Sequence, residues 1–125
     1  MRPKLPCDVC GRDLARLDDL RRGWVSWWTK VGSELVEHFH VTCAGTLNPC
    51  LDVVDAELKP AGYFSLDHHL SVFTGRNAMP RMRVLLWDYE WKHRSRAHER
   101  MLNFFAVAEL LPTTKHGTEC RGLEL

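Results

Sequence analysis

Apolar and polar positions along the chain fall into segments of different period. Residues 24–30, Trp-Val-Ser-Trp-Trp-Thr-Lys, are rich in aromatic and β-branched side chains and predict a strand. Val31-Gly32-Ser33 signals a turn. Over 34–41 the pattern alternates, with Leu35, Phe39 and Val41 on one face and Val36, His38 and His40 on the other. The two segments predict a β-hairpin. Upstream, Leu14, Leu17 and Leu20 sit at helical spacing and predict a helical turn or two that Gly23 ends. Downstream, a helix begins at Thr42 or at Asn48. Asn48-Pro49 offers an N-cap followed by an N1 proline, with Cys50, Leu51, Val54 and Leu58 as the apolar stripe. Lys59-Pro60-Ala61-Gly62 ends it.

The second half starts at Tyr63. Residues 65–73 fit a short helix with Leu66, Leu70 and Phe73 inward and Gly75 as stop, and they also fit an alternating strand. Residues 74–80 predict a loop. Over 83–91, Leu85, Trp87, Tyr89 and Trp91 alternate against Leu86, Asp88 and Glu90. A helical stripe through Met82, Leu86, Tyr89 and His93 competes, but the aromatic content favours a strand. From Ser95, an N-cap, the period becomes helical: Ala97, Met101, Phe104, Phe105, Ala108 and Leu111 form one face, and Pro112 stops it. The expected class is α+β. One domain is expected over 1–112, made of a module at 7–58 and an α/β extension at 63–112, before a loose polar tail at 113–125.

Size and charge narrow the classes. A chain of 125 residues can bury a core yet gains from a metal staple. With 17 Lys+Arg against 16 Asp+Glu, it does not read as a general polyanion binder. Met1–Pro6 lacks the apolar core of a signal peptide, and no run approaches the roughly 18 apolar residues of a membrane span. A cytoplasmic location is the expectation. Five cysteines are an odd count for a disulfide framework, and in a reducing compartment thiols at metal spacing read as ligands.

The metal candidates are Cys7 and Cys10, in Cys7-Asp8-Val9-Cys10-Gly11, and the pair His40 and Cys43 in His40-Val41-Thr42-Cys43. Two thiolates from a glycine-terminated turn and two further soft or borderline donors suit tetrahedral Zn²⁺. Cys50 and His38 are alternatives for the fourth ligand. A helix N-terminus lowers a thiol's pKa, which favours Cys43 and Cys50 as donors. Without a metal, Cys43 and Cys50 would simply be small buried hydrophobes. Cys120 and His116, in the tail, read as incidental. The order of knuckle, hairpin and ligand at a helix start resembles the treble-clef zinc finger over residues 7–58. That resemblance implies a closed four-ligand zinc site whose role is fold stability. His40 departs from the family pattern, since it ends a strand instead of lying in the first turn of the helix.

Two surfaces invite functional readings. Residues 92–100 carry Lys92, Arg94, Arg96 and Arg100 with His93, His98 and Glu99. Beside Trp87 and Trp91, and joined by Arg81 and Arg83, they would form a nucleic-acid interface. A solvated helix end is favoured over that reading, because the whole chain is nearly neutral. His68 or His69, then Asn77, then His93 or His98 follow the order of the His-Asn-His nucleases, although the spacings depart from that family's pattern. No phosphate-binding glycine loop and no glycine-flanked nucleophilic serine occurs in the sequence. The favoured expectation is therefore a non-enzymatic, zinc-stabilised protein that contacts a larger protein as regulator, adaptor or inhibitor, using some of Trp24, Trp27 and Trp28. Phage- or mobile-element-encoded inhibitors fit that size and style by analogy alone. No membrane partner and no small-molecule substrate is evident.

Overall fold

The structure is a computed structural model that describes residues 3–16, 20, 22–43 and 49–113. Its class is α+β, as the mixed periods predict. Four strands form one sheet: β1 (Gly23–Lys30), β2 (Leu35–Cys43), β3 (Tyr63–His69) and β4 (Glu90–Trp91), in the spatial order β3-β1-β2-β4. β1 pairs antiparallel with both β2 and β3, and β2 pairs parallel with β4. The helices among the described residues are α1 (Cys50–Leu58), α2 (Ala78–Asp88) and α3 (Arg96–Ala108).

The hairpin forms as its pattern predicts, with one refinement. Between Trp28 and Thr29 the register with β2 slips, so Trp28 faces His38 while Thr29 faces Val36. Glu37 is the extra residue of this bulge. An extra residue reverses the alternation, and Val36 therefore joins Phe39, Val41 and Cys43 in the same hydrophobic core instead of opposing them.

Each face of the sheet has its own cover. Val25 and Trp27 of β1 and Phe39 and Val41 of β2 pack in the main core with Phe73, Leu85, Met101, Phe104 and Phe105. Ring centroids of Phe39 and Phe104 lie 5.6 Å apart, and those of Trp27 and Phe73 lie 6.3 Å apart. On the opposite face Trp28 is buried against Val54 and Leu58 of α1, with Leu51 and Tyr63 alongside. Its indole nitrogen donates to the Ser26 hydroxyl at 3.1 Å. Of the three tryptophans of β1, Trp27 and Trp28 are buried in the core, which takes them out of the expected contact patch, while Trp24 is part-exposed and stacks on His69.

In the second half, residues 63–69 take the strand option, and Leu70–Phe73 make one tight 3₁₀ turn. The strand expected over 83–91 is corrected. Those residues mostly continue α2, and only Glu90–Trp91 is extended. Pro80 does not oppose this, because the N–H groups of a first helical turn have no intrahelical acceptor to lose. At the other end the Leu85 carbonyl accepts twice, from the Tyr89 N–H at 3.3 Å and from Trp91 Nε1 at 3.0 Å, which ties β4 to the end of the helix. α3 follows its expected stripe. Ser95 caps it by accepting from the His98 N–H at 3.2 Å, and Ala97, Met101, Phe104, Phe105 and Ala108 are buried.

The Leu20 N–H donates to the Arg16 carbonyl at 2.9 Å; residues 17–19 of the short helix that Leu14, Leu17 and Leu20 predict lie outside the described residues. The Asn48 cap and all of the tail but Thr113, with His116 and Cys120, lie outside them too. Among the described residues no helix is long and apolar enough to cross a membrane.

Candidate metal centre

The knuckle is built by short-range hydrogen bonds. The Cys7 N–H donates to the Arg12 carbonyl at 2.8 Å, the Gly11 N–H to the Cys7 carbonyl at 3.0 Å, and the Val9 N–H points at Cys7 Sγ from 3.4 Å. Gly11 turns the chain with φ of 79°, a conformation that only glycine adopts at little cost. Just outside this turn, Leu5 and Leu14 are buried in the main core and anchor it.

The knuckle docks on the edge of β2 through Asp8. Its N–H donates to the Val41 carbonyl at 2.8 Å, and its carboxylate accepts from the Val41 N–H at 3.0 Å. One residue therefore imitates a strand pairing. The same carboxylate accepts from Arg100 Nη2 at 2.9 Å and lies 3.2 Å from His40 Nδ1. Burial alone would raise the Asp8 pKa. The hydrogen bond with His40, the Arg100 charge and the Val41 N–H outweigh it and hold the carboxyl below its ordinary value.

This docking brings the knuckle sulfurs to the end of β2 and the start of α1. Sγ atoms of Cys7, Cys10, Cys43 and Cys50 all lie within 4.8 Å of one another, with Cys10 and Cys43 at 3.6 Å. A tetrahedron with metal–sulfur bonds of about 2.3 Å has edges of about 3.8 Å. The four sulfurs are placed to hold a metal ion.

Cys50 supplies the fourth sulfur of this cluster, and His40, expected beside Cys7, Cys10 and Cys43, lies outside it. The reason is strand geometry. β2 runs through Cys43, and side chains three residues apart on a strand point to opposite faces. Cys43 points at the knuckle sulfurs, so His40 lies on the other face of the strand, where its ring meets the Asp8 carboxylate instead of the sulfurs and lies parallel to the ring of His38 at 6.0 Å. His38 packs edge-on against Tyr63 and is not part of the cluster either. Cys50 was legible as the first residue of a stripe behind Asn48-Pro49, one of the two alternatives the sequence left open.

The thiols differ in acidity. The Arg12 N–H pulls Cys10 down to about 7, whereas burial and the neighbouring Cys7 and Cys10 sulfurs push Cys50 up to about 11. Burial pushes Cys43 up as well. Four thiolates at these distances repel one another. A bound cation removes that repulsion, and a thiolate is the ligand form of cysteine.

The other candidate residues separate. Arg96 and Arg100 line a groove of about 480 Å³ with His38, His40, Glu37 and Asp8 at the open edge of β2. Arg81 instead acts on His68 of β3, on the far side of β1. Arg94 occupies a turn at φ 60°, while Arg83 and Lys92 are exposed. The six basic residues expected to share an interface are therefore divided. Trp91 packs on Phe39, and only Trp87 of the expected stacking pair is open to solvent.

The histidines of the nuclease pattern sit apart from the metal cluster. His68 is wedged between Trp27 and Phe73, and His93 and His98 face each other beside Trp91. Among the described residues, the four cysteines are the one group of three or more such side chains that converges at metal-binding distance. No family model matches this chain, and the comparisons with curated proteins and with solved structures found no match.

Proposed function

We propose that this is a zinc-stabilised binding protein that acts by contact with a larger protein, as regulator, adaptor or inhibitor. Zinc is the metal of choice for four thiolates in a tetrahedron, and a site closed by four protein ligands leaves no position for substrate water. A glycine-terminated knuckle, a hairpin and a helix that starts on a ligand support the treble-clef reading of residues 7–58.

The observation that carries the binding role is Trp87. It is 88% exposed on a well-formed helix, with Leu86 and Met79 exposed on the same element. Met79 and Met82 also line a groove of about 200 Å³ between α2 and α3, together with Leu102, Phe105 and Ala106. Large exposed aromatic and methionine side chains on a rigid element are the usual anchors of protein contacts. The test replaces Trp87 with alanine. Partner capture should fall at least tenfold while zinc content and thermal stability stay unchanged; equal capture by both proteins would refute this surface.

A second reading rests on the Arg96–Arg100 groove beside His38 and His40, which offers a positive surface for nucleic acid. Arg100 is already neutralised by Asp8, and Glu37 adds an acid to the same groove, so the protein-contact reading is favoured. Steeply salt-dependent retention on nucleic acid would reverse that order.

A further inference from the structure

A separate pocket of about 280 Å³ opens where the far ends of β1 and β3 meet the residues after α2. Cross-strand neighbours make its floor: Trp27 opposite Leu66, and Thr29 opposite Phe64. Tyr89 forms a wall, its ring 5.7 Å from that of Trp27 and inclined at 73°. Phe64 and Leu66 are 44% and 40% exposed, which is unusual for two large apolar side chains side by side on one strand face.

The polar groups around this floor are uneven. Thr29 Oγ1 lies 2.8 Å from the Leu35 carbonyl and 3.0 Å from that of Ser33, and the Ser33 hydroxyl accepts from the Leu35 N–H at 3.1 Å. Both hydroxyls thus serve the β1–β2 turn. The two remaining polar side chains are Glu34 and Asp88, both exposed at the rim, and neither has an ion-pair partner among the described residues. Among the described residues no cation lines the pocket.

We propose that this pocket binds an alkylammonium group, a positively charged nitrogen on an apolar stem. The ring faces attract a cation through their quadrupoles, the apolar side chains take the stem, and the two carboxylates balance the charge. A neutral stem of the same shape would gain only the apolar part. An anion would meet two carboxylates. The proposal is independent of the Trp87 surface and of the metal, since the pocket shares no residue with either.

The test is an NMR titration of the zinc-loaded protein with n-butylammonium and with n-butanol. The reporter is the Trp27 indole N–H, which is buried and has no hydrogen-bond partner among the described residues. The ammonium should shift that resonance and the Glu34 and Tyr89 amides, and should bind about tenfold tighter than the alcohol. The Glu34→Gln/Asp88→Asn double variant, whose two exposed sites leave the core intact, should lose most of that preference. Nα-acetyl-lysine N-methylamide then distinguishes the sources. Binding at least as tight as butylammonium identifies a lysine side chain of a polypeptide, whereas exclusion of the capped lysine with retention of butylammonium identifies a free amine. Equal binding of ammonium and alcohol, no shift at the pocket, or a preference unchanged in the double variant would each overturn the proposal.

Discussion

Cys43 ends β2 and Cys50 opens α1, so the two sulfurs reach the knuckle from two different elements. Replacing either removes a thiolate from the cluster. Cys50→Ser should weaken zinc binding by at least about 100-fold in a chelator competition, while His40→Ala should retain one zinc per chain by elemental analysis. The reverse pattern would return His40 to the ligand set. Cys7 and Cys10 were legible in the sequence because a glycine-terminated Cys-x-x-Cys turn leaves little conformational choice, and Cys43 through its spacing from His40. The fourth was not fixed, since its identity depended on whether residues 41–43 continued the strand. A second residue-scale expectation concerns His68. Burial, with Arg81 and His69 nearby, lowers its pKa below the ordinary value of about 6.5, and Asp67 offsets only part of this. Its contribution to stability is complete above the unfolded value and is lost as pH falls from there toward the lower folded value. His38 is lowered in the same direction by burial and by His40. Between pH 7.5 and 5.5, urea unfolding of His68→Phe should therefore show a shallower loss of stability than the parent. Comparing the two proteins cancels the shared metal contribution, and identical slopes would exclude His68 as a source.

At the scale of elements, α2 separates local propensity from packing. In a strand, Leu85 and Trp87 would share a face and a fate. In the helix they lie about 200° apart; Leu85 is fully buried, and Trp87 projects into solvent. Leu85→Ala should cost about 2–5 kcal/mol in urea unfolding, whereas Trp87→Ala should change stability by less than about 0.5 kcal/mol. Comparable losses at both positions would contradict the helix. The sequence misled here because Leu85, Trp87, Tyr89 and Trp91 match a period of two and are strand-favouring types, although Trp87 is a surface residue and Trp91 belongs to a different element. Ala78 and Leu85, with Met82 and Tyr89, are the stripe that packs. Where one wide apolar stripe dominated, as in α3, the pattern identified the buried face residue by residue. The hairpin was equally legible, but a one-residue bulge leaves no compositional mark, and so the placement of Val36 was not.

On the scale of the whole molecule, the metal cluster joins segments that the rest of the core holds to different degrees. Knuckle residues 7–10 reach the sheet through Asp8 and through Leu5 and Leu14, and α1 reaches it through Val54 and Leu58 on Trp28. β1, β3 and α3 instead meet around Phe73 and Phe104, whose ring contacts are with other aromatic side chains, although Cys7, Cys43 and Cys50 belong to the same hydrophobic core. Removing the ion should thus act unevenly. Zinc at 1,000 times its dissociation constant adds about 4 kcal/mol to stability. For a chain of this size that corresponds to roughly 10–20 °C in melting temperature. Treatment with a strong chelator should lower the transition by about that amount, and zinc should restore it. In hydrogen exchange of the metal-free protein, protection should be lost first at the knuckle and α1 and kept longest in β1, β3 and α3. Lowering the pH should favour metal loss, because thiolates that reprotonate no longer bind. A transition unmoved by chelation would leave Cys7, Cys43 and Cys50 as buried apolar side chains beside an exposed Cys10, while uniform loss of protection would make the ion a staple of the whole sheet.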